Sequence, residues 1–153
     1  MELLVDTPEA TRALGAALGR VAAAGDVVGL CGDLGAGKTT LVQGIAEGLG
    51  AGPATSPTFT LIHVYAGGRL VLYHADLYRL DRPEELEDVG LDDIYRQDGV
   101  AAVEWMDKLP GAAPADWLEV RLEVAGDGRR LTAAAHGPQA AALRERYLRE
   151  LGA

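Results

Sequence analysis

GDLGAGKTT, residues 32–40, carries in its first eight positions the pattern GxxxxGK[ST]. Glycines at those places let backbone N–H groups wrap around phosphates, while the lysine reaches the outer ones. With 20 Gly, 2 Lys and 9 Ser plus Thr in 153 residues, such a match arises by chance in roughly one chain in 500. The basic residues are 12 Arg and only 2 Lys, and one of those two is Lys38. A compact ammonium on a flexible stem thus stands where a phosphate loop needs it.

A phosphate loop must join a buried strand to a helix. Upstream, DVVGLCG (26–32) is a short apolar run suited to a strand covered on both faces. Downstream, KTTLVQGIAEGLG (38–50) repeats Leu41, Ile45 and Leu49 at helical spacing before Gly50, a helix stop. The first N–H groups of that helix would point at the phosphates, aided by its dipole.

Working outward, residues 2–5 can form a short strand, and TPEATRALGAALGRVAAAG (7–25) predicts a helix. Thr7 caps it, Pro8 takes its first position, and Leu14, Leu18 and Val21 make one stripe. FTLIHVYAGGRLVLYHAD (59–76) predicts an antiparallel hairpin with a tight turn at Gly67-Gly68. RPEELEDVGLDDIYRQDG (82–99) predicts one or two short acidic helices, and VAAVE (100–104) a second buried strand. WLEVRLEV (117–124) and RLTAAAH (130–136) form another hairpin around GDG (126–128), and a terminal helix starts at Pro138.

At 153 residues and 48% apolar, the chain is read as one domain, 1–153. It shows no apolar run near ~20 residues, and its acidic N-terminus is unlike a signal peptide. A cytoplasmic protein with no membrane association is expected. A single cysteine, Cys31, excludes an internal disulfide and any multi-Cys zinc site. It either packs at a strand end or, lying next to the loop, is open to thiol reagents.

Net charge is −9, and residues 76–107 hold eleven carboxylates against three Arg. Such a surface repels a phosphate backbone, so no DNA partner is expected and any RNA would be held by another protein. The acidic run reads either as a solvated helical face or as a docking surface for a basic partner.

A nucleotide loop works with magnesium, which takes hard oxygen ligands. Thr39 offers a hydroxyl. Asp76 and Glu104 each end a mostly apolar segment that would deliver a carboxylate to the phosphate edge of a sheet. Glu104 is the stronger candidate, because a buried strand ending in an acid is costly unless that acid has a partner. In SPTF (56–59), Thr58 is a candidate nucleotide sensor stiffened by Pro57, or part of a plain turn. Arg79 and His74 flank Asp76 with a structural or a chemical role, and His63 and His136 read as packing residues. Trp105 should lie near the site. Arg144, Arg146 and Arg149 read as a solvated face, and residues 7–11 and 126–128 are candidate neighbours of a base.

Three classes of phosphate-loop protein compete. A GTPase reads guanine through Asn-Lys-x-Asp, yet the chain has no asparagine, and no DxxG segment follows the loop. A small-molecule kinase usually has an Arg-rich lid, whereas the large insertion here is acidic. A non-enzymatic interaction module fits the size, but two well-placed carboxylates argue for magnesium and hydrolysis.

The ordered set GDLGAGKTT, SPTFTL, HADLYRL, PEELEDVGL and VEW resembles one family, TsaE (also called YjeE), from about residue 11 to 105 and more loosely beyond. The resemblance implies a phosphate-loop α/β fold, three-layer α/β/α, with central parallel strands flanked by antiparallel ones. It implies a slow ATPase using ATP and magnesium in the synthesis of threonylcarbamoyladenosine (t6A). Its partners would be TsaB and TsaD, where TsaD transfers a threonylcarbamoyl group to adenosine 37 of tRNA. The subunit would meet tRNA only indirectly, through that complex. By the same resemblance Gly32, Asp33, Leu34, Gly35, Ala36, Gly37, Lys38, Thr39 and Thr40 bind the nucleotide, with Lys38 on phosphate. Thr39 and Glu104 hold magnesium, Asp76 joins the metal and hydrolytic site, and Thr58 senses the nucleotide.

Overall fold

The computed structural model describes residues 1–33, 35–54, 61–96 and 98–152. Leu34 and the sensor candidate Thr58 lie outside the described residues. Seven strands form one sheet: β1 (Glu2–Val5), β2 (Val27–Gly32), β3 (Ile62–Tyr65), β4 (Leu72–Asp76), β5 (Val100–Glu104), β6 (Trp117–Ala125) and β7 (Gly128–His136). The helices are α1 (Pro8–Val21), α2 (Lys38–Leu49), the short α3 (Leu86–Val89) and α4 (Leu91–Tyr95), and α5 (Pro138–Glu150). The strand order is β1-β7-β6-β2-β5-β4-β3. Strands β6, β2, β5 and β4 run parallel to one another, while β7, β1 and β3 pair antiparallel at the flanks. The expected mixed sheet is therefore present. Among the described residues, no helix is long and apolar enough to cross a membrane.

Local chemistry accounts for the element ends. The Thr7 hydroxyl accepts from the Ala10 N–H at 3.1 Å, with Pro8 in the first turn of α1. α2 stops at Gly50 in the left-handed conformation. Central strands β2 and β5 are buried almost throughout, as their apolar runs predict. Helices α1, α2 and α5 cover one face through a core that includes Leu18, Leu41, Ile45, Leu122 and Tyr147. On the other face Val89, Leu91 and Ile94 of α3 and α4 pack with Val103, Met106 and Leu109, while Glu87, Asp88, Asp92 and Asp93 face water.

Two expectations are corrected. The link between β3 and β4 is no tight turn, for β3 ends at Tyr65 and β4 begins at Leu72. The segment docks on the helices instead. The Arg69 N–H donates to Leu49 O, and its guanidinium donates to the carbonyls of Gly19, Arg20 and Ala22 at the end of α1, which have no partner within the helix. Arg146 does not belong to a solvated face. It donates to Val21 O at 2.9 Å and to Asp26 Oδ2 at 3.0 Å, and Asp26 is 2% exposed. A carboxylate so deep in the fold requires a partner.

The pairing of α1 with α2 is backbone against backbone. A Cβ on Gly44 or Gly48 would stand 2.1 Å from the carbonyl oxygen of Arg12 or Ala16, and one on Gly15 or Gly19 would stand 2.2 Å from that of Leu41 or Ile45. Alanine for glycine inside a helix ordinarily stabilises by about 1 kcal/mol. Here Gly44→Ala is expected to destabilise by ~1–3 kcal/mol, because the helices must separate. Urea denaturation of the two proteins reads the sign directly.

Candidate functional site

Strands β2, β4 and β5 deliver their C-terminal ends to one edge of the sheet, and the loop after β2 opens there. Gly32 (φ 123°) leaves no room for a side chain, since a Cβ would meet Leu122 O at 1.8 Å. Gly37 (φ 109°) begins α2 in a left-handed conformation, with no side-chain cap on the helix. The first N–H groups of α2 therefore face the loop, as an anion-binding terminus requires.

Lys38 is 4% exposed, and its Nζ donates to Gly32 O at 2.9 Å and Asp33 O at 2.7 Å. Burial lowers its pKa, against the opposing pull of the Glu104 and Asp76 carboxylates. The Trp105 ring covers the ammonium at 4.1 Å from its centroid. Trp105 has φ 61° and is the one described non-glycine residue with positive φ. Tyr78 in turn lies 5.2 Å from the Trp105 ring.

Thr39 and Glu104 meet. The hydroxyl donates to the Glu104 carboxylate at 3.1 Å (Oε1) and 3.2 Å (Oε2), joining the start of α2 to the end of β5. Glu104 is 3% exposed and also takes His74 Nε2 at 2.5 Å. Asp76 stands directly opposite Glu104 in the β4–β5 register, and its Oδ1 accepts from the Tyr78 N–H at 3.0 Å. Lys38, Thr39, Thr40, Asp76, Glu104 and Trp105 line one cavity of about 300 Å³. A second, of about 240 Å³, lies between the loop at Gly35, Ala36, Gly37 and Thr40, the segment with Thr7, Pro8 and Thr11, and Asp127–Arg129.

The sequence candidates thus converge, with exceptions. Arg79 is exposed, His63 is exposed, and His136 is stacked on Trp117 at 4.7 Å. Asp33 is exposed at the loop and Ala36 buried beneath it. The buried His74–Glu104 contact and the Tyr78–Trp105 pair have no sequence signal beyond the place of His74 and Tyr78 in HADLYR beside Asp76. Among the described residues, no three His, Cys, Asp or Glu side chains converge as a metal cage. Magnesium does not need one, since it keeps water and phosphate oxygens and takes one or two protein ligands. Thr39 and Glu104 fit that need, and Lys38 with the α2 N–H groups fits an anion.

The chain is similar to known proteins over most of its length. Residues 5–131 match the family model for Threonylcarbamoyl adenosine biosynthesis protein TsaE. The tRNA threonylcarbamoyladenosine biosynthesis protein TsaE of Bacillus subtilis is 45% identical over 80% of this chain and 77% of that protein. The protein of the same name from Nostoc is 46% identical over the same shares. The crystal structure of Bacillus subtilis YdiB superposes with a TM-score of 0.82 at 38% identity, covering 97% of this chain and 94% of that one.

Cys31 resolves differently from one of its two readings. It is wholly buried, and burial, then the Asp107 carboxylate, push its thiol up from 9.0 to about 12. The neutral thiol is favoured in the fold, so the stability it supports is intact below about 9 and declines as pH rises toward about 12. At pH 8 native protein is expected not to react with a chromogenic disulfide reagent, and to react fully once urea unfolds it.

Proposed function

The chain belongs to the TsaE family of threonylcarbamoyl adenosine biosynthesis proteins, and from that premise we propose that it is a magnesium-dependent ATPase acting in t6A formation on tRNA, as a nucleotide-driven switch on TsaB and TsaD. The observation that carries the ATPase reading is the Thr39–Glu104 contact beside Lys38 at the phosphate loop.

Each residue has a distinct task. The loop from Gly32 to Thr40 and the first N–H groups of α2 cradle the phosphates. Lys38 exchanges the Gly32 and Asp33 carbonyls for phosphate oxygens, anionic acceptors in place of neutral ones. Thr39 and Glu104 would hold magnesium, with Asp76 alongside; when bound, the ion would neutralise phosphate charge. Asp76, fixed by the Tyr78 N–H, orients the attacking water. Thr58 senses the nucleotide. The cavity between Thr7, Thr11 and Asp127 takes the adenine, and Trp105 reports occupancy through its contact with Lys38.

Charge supports the division of labour. With a net charge of −9 and the acids of α3 and α4 turned to solvent, this chain is ill suited to grip tRNA itself. Those acids serve as a docking surface for a basic face of the partner proteins, and tRNA is reached through the complex.

ATP hydrolysis measured with magnesium, alone and then with TsaB and TsaD, with and without tRNA, tests the reading. Weak activity that rises with the partners is expected. Lys38→Ala should weaken ATP binding about 10–100-fold, the worth of a hydrogen bond to a charged group, and Glu104→Ala should lower turnover more than affinity. Hydrolysis indifferent to the partners, with phosphate passed to a small molecule, would overturn the switch.

A further inference from the structure

Among the described residues, Glu104 has two side-chain partners, and only one belongs to the phosphate-loop helix. Thr39 has a single hydroxyl proton, shared between Oε1 and Oε2. The second partner is His74, whose Nε2 is 2.5 Å from Oε2, with the two side chains 8% and 4% exposed. A carboxylate that is to hold a cation only accepts hydrogen bonds, and the imidazole tautomer that pairs with it is the one with its hydrogen on Nε2.

The position of His74 follows from the sheet. On β4 it stands opposite Ala102, and Asp76 opposite Glu104, so the ring reaches Glu104 diagonally on one face. His63, directly across on β3, and Tyr65 pack near the ring at 5.8 and 6.4 Å between centroids. The imidazole is thus walled in with one nitrogen turned to the carboxylate. Without that donor, Glu104 would keep only a shared Thr39 proton while facing the like charge of Asp76 across the register.

We infer that His74 is a positioning residue, holding the Glu104 carboxylate in the orientation from which it and Thr39 take magnesium. This rests on the magnesium–ATP reading of the site. It differs from the assignment of Glu104 itself, because His74 touches neither phosphate nor metal in that reading and acts only through the carboxylate.

The test is calorimetric titration of ATP into wild type, His74→Gln and His74→Met, once in EDTA and once in excess magnesium chloride. Gln keeps an N–H donor on a side chain of similar reach, and Met fills the space without one. His74→Met is expected to bind ATP in EDTA as wild type does, yet to lose about 10–100-fold of the affinity that magnesium adds; His74→Gln should keep most of it. A merely structural role would shift both conditions alike. Full retention by His74→Met, or equal loss in both variants, would overturn the inference. Thermal unfolding shows which variants are folded. If His74→Met is not, His74→Gln decides alone, with the increment kept in support or lost against. A wild-type protein that gains nothing from magnesium would sink the parent reading, and this inference with it.

Discussion

A carboxylate held out of water at the end of a buried strand is the constraint on which the site depends. Glu104 closes five residues of β5 that are all buried, and a charge in that position is tolerated only with hydrogen bonds to meet it. The fold supplies them from two directions, Thr39 from the helix above and His74 from the neighbouring strand. The same contacts that offset the cost of burial also bring the first turn of α2, β4 and β5 to a common point. Satisfying the acid and assembling the site are one event.

The loop is held in place from below as well as from the side. α1 and α2 pack so closely that a methyl group would strike carbonyl oxygen at Gly15, Gly19, Gly44 and Gly48. That contact fixes α2 over the parallel centre of the sheet and sets the Thr7–Thr11 turn against the loop, where the second cavity forms. At the opposite end Asp26, Gln139 and Arg146 tie β2 to α5. The strand that carries the phosphate loop is therefore anchored at its start by an ion pair between buried Asp26 and half-buried Arg146 and is flanked on both sides by parallel neighbours.

Charge is segregated in a way that suits such a site. Apolar residues of α3 and α4 turn inward against Val103 and Met106 while their acids face water. The negative field is thus carried mainly on the surface of one segment, and Lys38 lies at the loop with Trp105 over it. The ammonium bonds to carbonyls and an aromatic face and, among the described residues, forms no salt bridge with a carboxylate, which leaves it free to exchange partners for an anion.

Much of this was legible in the residues alone because it is local. Helical spacing in residues 38–50, the Thr7–Pro8 cap, the left-handed stop at Gly50 and the buried run of β5 depend on near neighbours, and each is present. The phosphate loop, Asp76 and Glu104 could be named from their places at strand ends. The segment at Gly67-Gly68 misled, because Gly68, which suits a tight turn, serves instead for close approach to the end of α2, where a Cβ would stand 2.4 Å from Leu49 O. The four glycines of α1 and α2 recur at spacings of four, but nothing in either helix says which face meets the other. Thr39 and Glu104 are 65 residues apart, and His74 and Glu104 are 30 apart. Local pattern in the residues sufficed to place the main strands and helices, the phosphate loop and the acids that end strands. Which side chains reach Glu104 is settled at the level of the whole sheet, because strand order and register, set by packing across it, bring together groups with no local relation.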